Sequence, residues 1–316
     1  MENNTYEPQE PNAEEQLSPS VLSQPRSQSR AWPILLGAVI VGVSLIVSSL
    51  IYTKDDKSAP AVKREAATGS SAELPVTWGD MGKRMLASGV IDEKAFESLY
   101  ATRGGMSPEM QAMLSGDKNG NIRITSENAG TILNLLWALG LGQKSDVLEK
   151  GEMADPRYGD PSGFASTGGW TLANGSPMSH YSMHEFVTLD ADAKAKVERV
   201  TKNIYRPCCG NSTHFPDCNH GMAMLGLMEL MASQGASDEE MYRTAVLVNS
   251  FWFPDQYATI ARYFTSDGTV LKDVDPKKIL SAAYSSGAGY QAVEKAVSQL
   301  QGPAEAQPRQ SGGCGV

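Results

Sequence analysis

Several residue types are scarce in this chain, and each scarcity excludes something. Cysteine occurs four times in 316 residues, too seldom for a disulfide-dense secreted scaffold. Positive charge is in deficit: 27 Lys and Arg stand against 36 Asp and Glu, a formal net charge of −9. A general nucleic-acid binder needs a basic footprint, so no nucleic-acid partner is expected. There is no collagen-like glycine period, no coiled-coil composition and no internal repeat, which excludes fibres and solenoids. The GxSxG, HExxH and GxxxxGK[ST] patterns are absent too. Ser166–Trp170 is glycine-rich but forms no phosphate loop. The sequence therefore names no reaction and no catalytic residue, and whether the chain is an enzyme stays open.

What is present begins with one long uncharged run. Ala31–Tyr52 reads AWPILLGAVIVGVSLIVSSLIY. As a helix it would span about 33 Å, enough for a bilayer core of about 30 Å. Trp32 and Tyr52 sit at its ends, where amphipathic rings favour the interface. A single transmembrane helix over 31–52 is expected, with the lipid bilayer as a partner. Arg26 and Arg30 precede it, while Lys54, Lys57, Lys63 and Arg64 follow it. A plain count would put the C-terminal side inside, but large domains translocate largely regardless of flank charge. The layout of short tail, span, tether and domain favours an N-inside, cell-membrane protein with an extracytoplasmic domain.

Residues 1–30 are polar and read as a disordered tail, 53–75 as a flexible linker, and 302–316 as a flexible tail carrying Cys314. Between them, 76–301 reads as one mainly α-helical, multi-helix globular domain. Asp92, Ser107 with Pro108, and Ser237 with Glu240 have the chemistry of helix starts. Ser126 is expected to open an apolar helix through ILNLLWALGL. Residues 151–180, rich in Gly, Pro, Asp and Ser, should be a long ordered loop. Further helices are expected over AKAKVERVTKNIY, over the Met-rich NHGMAMLGLMELMASQG, and near 254–264, 275–284 and 288–300. Asp117–Asn128 imitates a calcium loop, but Ile122 and Asn128 stand where Gly and Glu belong. A turn with a short β-bridge is the expectation there.

The chemistry concentrates in one window. Of four Cys and four His, seven lie between His180 and His220: His180, His184, Cys208, Cys209, His214, Cys218 and His220. Thiolate and imidazole are the ligands that transition metals prefer. Cys208 and Cys209, followed by Cys218 and His220, can close a loop around one ion of copper, zinc or iron. Asn219 resembles a helix N-cap, which would put Cys218 and His220 at a helix N-terminus, where the dipole favours thiolate. Two other readings compete: a disulfide from Cys218 to one of the vicinal cysteines, structural or redox-active, and inert buried thiols. A Cys208–Cys209 bridge is disfavoured, since adjacent Cα atoms lie closer than disulfide geometry wants. His180 and His184 would share a face if helical. Met222, Met224, Met228 and Met231 read as core packing, and Glu229 among them needs a partner or a metal.

The block from ILNLLWALGL through FASTGGW to YRPCCG…FPDCNHGMAMLGL, about residues 125–255, resembles a family of uncharacterised membrane-anchored bacterial proteins. That resemblance implies an anchor and a domain but no particular activity. More loosely, Cys-Cys-Gly…Asp-Cys before a helix looks like the PCYCGC-motif lipoproteins of bacteria, although the Cys-x-Cys-Gly-Cys core and the lipobox are missing. From the residues, the expected function is metal binding through Cys208, Cys209, Cys218 and His220, for metal handling or electron transfer. The alternatives are a thiol-disulfide protein and a non-enzymatic envelope scaffold stapled by its cysteines.

Overall fold

A computed structural model describes residues 71–300. The expected membrane span at 31–52, both flanking tails, most of the linker and Cys314 lie outside the described residues. Among the described residues, no helix is long and apolar enough to cross a membrane.

The described residues open with a strand: β1 covers Ser71–Gly79, and its first residues fall inside the segment read as linker. Its Leu74, Val76 and Trp78 alternate inward, the period of a half-buried strand. Three short helices follow, α1 (Met81–Ser88), α2 (Glu93–Ala101) and α3 (Pro108–Ser115). Asp92 caps α2 by accepting from the Ala95 amide at 2.8 Å, and Ser107 caps α3, with Pro108 at its first position. Strand β2 (Asn119–Thr125) pairs antiparallel with β1, from Ser71 opposite Thr125 to Gly79 opposite Asn119, with a register shift between Glu73 and Thr77. The calcium-loop imitation is thus spent on a strand. Asn119 donates to the Gly79 and Ala112 carbonyls, and Asp117 pairs with Lys83.

Helix α4 (Ala129–Gly142) starts later than expected, with Asn128 at its cap position and Ser126 left in the preceding turn. The Asn128 side chain is engaged elsewhere, accepting from the Thr125 amide and donating to the Arg123 carbonyl. After α5 (Asp146–Lys150) comes the long loop, built from 3₁₀ turns over Glu152–Ala154, Pro156–Tyr158, Pro161–Gly163 and Pro177–Ser179. Two tryptophans pin it. Trp137 donates to the Ser166 carbonyl at 2.6 Å and Trp170 to the Val90 carbonyl at 2.8 Å, and their rings meet edge-on at 4.9 Å.

Then follow α6 (Ala191–Thr201), α7 (Asn219–Ser233), α8 (Asp238–Trp252), α9 (Pro254–Thr265), α10 (Pro276–Ile279), α11 (Ala282–Ser285) and α12 (Gly287–Leu300). Ser237 and Glu240 form the expected capping box at the start of α8. Helices α4 and α7 are apolar almost all round, and both lie in the core. They approach through glycines: a Cβ on Gly226 would stand 2.6 Å from the Gly140 amide nitrogen, and one on Gly140 would fall inside the Met222 carbonyl. Met222, Met224, Met228 and Met231 are all buried there as packing, where each large apolar side chain contributes roughly 1.5–3 kcal/mol. A second, smaller core joins Phe253, Tyr257, Ile260, Phe264, Ile279, Val293 and Val297, and Cys208 packs against its edge.

Candidate metal centre

The seven clustered Cys and His residues separate into three groups. His180 Nδ1 lies 3.0 Å from His184 Nε2, on a turn and not on one helical face. His214 stands between two carboxylates, 3.2 Å from Glu152 Oε2 and 2.8 Å from Glu198 Oε2. The remaining four lie at the start of α7, the three cysteines gathered together and His220 beside them.

The loop from Tyr205 to Asp217 is tied down along its length. The Tyr205 amide donates to the Leu280 carbonyl, the Thr213 amide to the Ile204 carbonyl, and the Gly287 amide to the Cys209 carbonyl. This places the Cys208 and Cys209 sulfurs 4.0 Å apart, with Cys218 Sγ 3.7 Å from the first and 3.8 Å from the second. All three thiols are free and half-buried, so the vicinal pair is unbridged. These three cysteines are close enough together to hold a metal ion.

Cys218, not Asn219, is the N-cap of α7. Its sulfur accepts from the Gly221 amide at 3.4 Å, while Asn219 Oδ1 takes the His220 amide. Sulfur thereby occupies the position where the helix amides converge. His220 follows within the first turn. Its Nδ1 lies 4.0 Å from Cys208 Sγ, and its ring packs on Phe253 at 4.5 Å and edge-on to Trp252 at 5.7 Å. It borders the sulfur triangle on the Cys208 side.

Beneath the sulfurs lies Arg206, only 1% exposed. Its Nε donates to Cys218 Sγ at 3.1 Å, and its two terminal nitrogens donate to the Asn211 carbonyl at 3.1 Å and Asp217 Oδ1 at 3.0 Å. Asn211 closes the ring by donating to Asp217 Oδ2 at 2.8 Å. Burial opposes the Arg206 charge, but the facing sulfurs of Cys218, Cys209 and Cys208 more than offset it and raise the guanidinium pKa.

The three thiols are driven apart in acidity. Cys218 is held well below the usual thiol range because Cys208 and Cys209 donate to its sulfur, helped by Arg206 and His220 against the cost of burial. Cys208 is raised, first by its contacts with Cys209 and Cys218 and then by burial. For Cys209 the Cys208 contact acts downward, but Cys218 and burial carry it up to about 11. The arrangement is one thiolate attended by two thiols, over a fixed cation.

Reading the sequence for ligands found the sulfurs and missed their support. Residue type alone does not single out Arg206, Asn211, Asp217 and Gly221. The available signal was an arginine two residues before the vicinal pair and an aspartate immediately before Cys218, opposite charges framing one short loop.

Comparison with protein-family models, curated proteins and solved structures found no match to this chain.

Proposed function

We propose that this chain is a membrane-anchored protein whose extracytoplasmic domain binds a transition-metal ion through Cys208, Cys209 and Cys218, with His220 as the fourth ligand, and serves in metal handling. The observation that carries the reading is the sulfur triangle, with edges of 3.7, 3.8 and 4.0 Å. A tetrahedral ion with metal–sulfur bonds of about 2.3 Å requires sulfurs about 3.8 Å apart. A disulfide would need two of them at about 2.05 Å. Charge selects among ions. With Arg206 paired to Asp217, three thiolates and a divalent ion leave one net negative charge at the site, whereas a monovalent ion would leave two. Zinc fits best on that ground, ahead of monovalent copper. The Arg206 N–H to Cys218 and the Gly221 amide supply the hydrogen bonds that outer-shell groups give to ligating atoms. The anchor rests on the 31–52 run, and the anchor-plus-domain layout is the one implied by the family that the CCG…FPDCNHGMAM segment resembles.

The test is elemental analysis of the full-length protein, purified in detergent under reducing, oxygen-free conditions. About one ion per chain is expected, with its loss in Cys218→Ser, since thiolate ligation of a structural or cargo metal depends on each sulfur. Wild-type protein free of metal, and taking none up from added Zn²⁺, would overturn the reading.

A second reading has its own support. The depressed pKa of Cys218 beside two thiols is also what a thiol-disulfide protein needs. It predicts a bridge from Cys218 to Cys208 or Cys209 after mild oxidation, with a reversible potential and no metal dependence.

A further inference from the structure

A cavity of about 490 Å³ opens between α5, α6 and the start of the long loop, and Glu229 is the one residue of α7 that lines it. Glu229 is 1% exposed, and both of its carboxyl oxygens lack a hydrogen-bond partner among the described residues. The Ser145 hydroxyl on the same wall stands near enough to Glu229 to lower its pKa, yet it too makes no hydrogen bond among the described residues. Buried polar groups in proteins are nearly always satisfied, so two on one cavity wall require an explanation. The chain's own cations do not supply one. Lys150 and Lys194, at the same cavity, both engage Asp146, at 3.2 and 3.6 Å. His214 is held by Glu152 and Glu198.

We infer that this cavity is a binding site for a small primary amine, which seats its ammonium group on the Glu229 carboxyl and lays an apolar stem along Leu189 and Val197. The ammonium supplies three donors to the carboxyl oxygens and the Ser145 hydroxyl, which together offer the acceptors now idle. A charge-assisted pair in a water-poor pocket is the strong form of this contact. A metal ion fits less well, because among the described residues only the three cysteines form a ligand cluster. The site is separate from the cysteines and does not depend on them.

Seating an ammonium there ionises the carboxyl. Burial holds Glu229 mostly protonated near neutrality, with its pKa raised to about 8, so binding releases one proton from the carboxyl to the buffer. The charged groups facing the cavity are Asp146 and Lys150 from α5, Lys194 and Glu198 from α6, and His214 from the loop. Helix α4, packed on the other side of α7, carries no titratable side chain.

The experiment is calorimetric titration of the full-length protein with n-butylammonium chloride at pH 7, in two buffers of different ionisation enthalpy. Saturable binding with net proton release is expected. Glu229→Gln keeps the shape of the neutral acid and should weaken binding by roughly tenfold or more, as loss of a charge-assisted pair requires. Ala195→Trp, at an exposed position on the cavity wall, should block entry without touching the core. Metal content at the cysteines should be unchanged in both variants. Absence of saturable binding, a weakening below roughly tenfold in Glu229→Gln, or equal binding of neutral 1-butanol overturns the inference.

Discussion

Gly221 makes room for Arg206. A Cβ at Gly221 would stand 2.6 Å from the guanidinium carbon of Arg206 and collide with one of its terminal nitrogens. The first turn of α7 can therefore lie directly on a buried cation, whose Nε reaches the cap sulfur. Gly221→Ala should push the guanidinium out and cost about 2–4 kcal/mol, through overpacking and through the Asp217 carboxylate left without its partner. Chemical denaturation measures the loss. The metal content of the purified variant, compared with wild type, reports the damage at the sulfurs.

Arg206→Met keeps most of the volume and removes the charge. The Cys218 thiolate then loses a donor and a nearby cation, so its thiol should titrate at higher pH than in wild type. The readout is the pH profile of alkylation by iodoacetamide in metal-free protein, with Cys208 and Cys209 replaced by Ser in both backgrounds. Those replacements remove the two donors that lower Cys218 most, so the remaining difference isolates the arginine. An unchanged profile would show that the guanidinium acts on the loop alone.

His220→Ala and Cys218→Ala separate the two readings of the site. Under metal binding, Cys218→Ala abolishes retention, and His220→Ala lowers affinity by roughly tenfold or more, as loss of one ligand does. Under the disulfide reading, Cys218→Ala lowers the stability of oxidised protein by about 2–5 kcal/mol and His220→Ala leaves the bridge intact. Zinc competition against a chromophoric chelator and thermal melting of oxidised protein decide between them.

The start of α2, the start of α3 and the capping box of α8 were legible because each is a local hydrogen-bond pattern written in a few adjacent residues. The start of α4 was misread because Asn128 and Ser126 are both plausible caps. The choice fell to a turn in which Asn128 bonds Thr125 and Arg123. Strand β1 was hidden by polar neighbours at Ser71 and Glu73, and only pairing with β2 gives it a partner. At the site, the ligand types were visible as residue letters. That Cys218 would cap α7 was not, since sulfur is a rare cap and Asn219 stood next to it. Arg206 was invisible for a deeper reason: a buried arginine is tolerable only where three acceptors converge on it, and those come from residues 211, 217 and 218 folded back over it.

The crossing of α4 and α7 gives a sharper test of packing. Gly226 faces the Gly140 amide and the Leu136 carbonyl, each at 2.6 Å from where a Cβ would be. Neither helix can yield, because both are buried on their other faces. Gly226→Ala should cost at least about 2–3 kcal/mol despite the better helix propensity of alanine, which alone would stabilise by about 1 kcal/mol. A stability equal to or above wild type in urea denaturation would mean the helices sit farther apart than described.

Glu229 makes the stability of the domain depend on pH in a direction opposite to most carboxylates. Its folded pKa is raised to about 8 from the ordinary value of 4.5, chiefly by burial, with Ser145 acting the other way. Below the unfolded pKa the group is protonated in both states and has no effect. As pH rises from about 4.5, the unfolded chain ionises while the folded chain keeps its proton, so stability is lost until pH passes about 8, after which the cost is constant. The full cost is on the order of 5 kcal/mol, the pKa difference multiplied by 1.36 kcal/mol per unit. Glu229→Gln removes the ionisation while keeping the shape. In ligand-free protein it should therefore stabilise by a few kcal/mol at pH 8–9 and by nearly nothing at pH 4, and the difference should grow across the interval between. Urea denaturation of both proteins over that range measures it. A difference independent of pH would mean that the Glu229 carboxyl is solvated, and would remove the unsatisfied group on which the amine site rests.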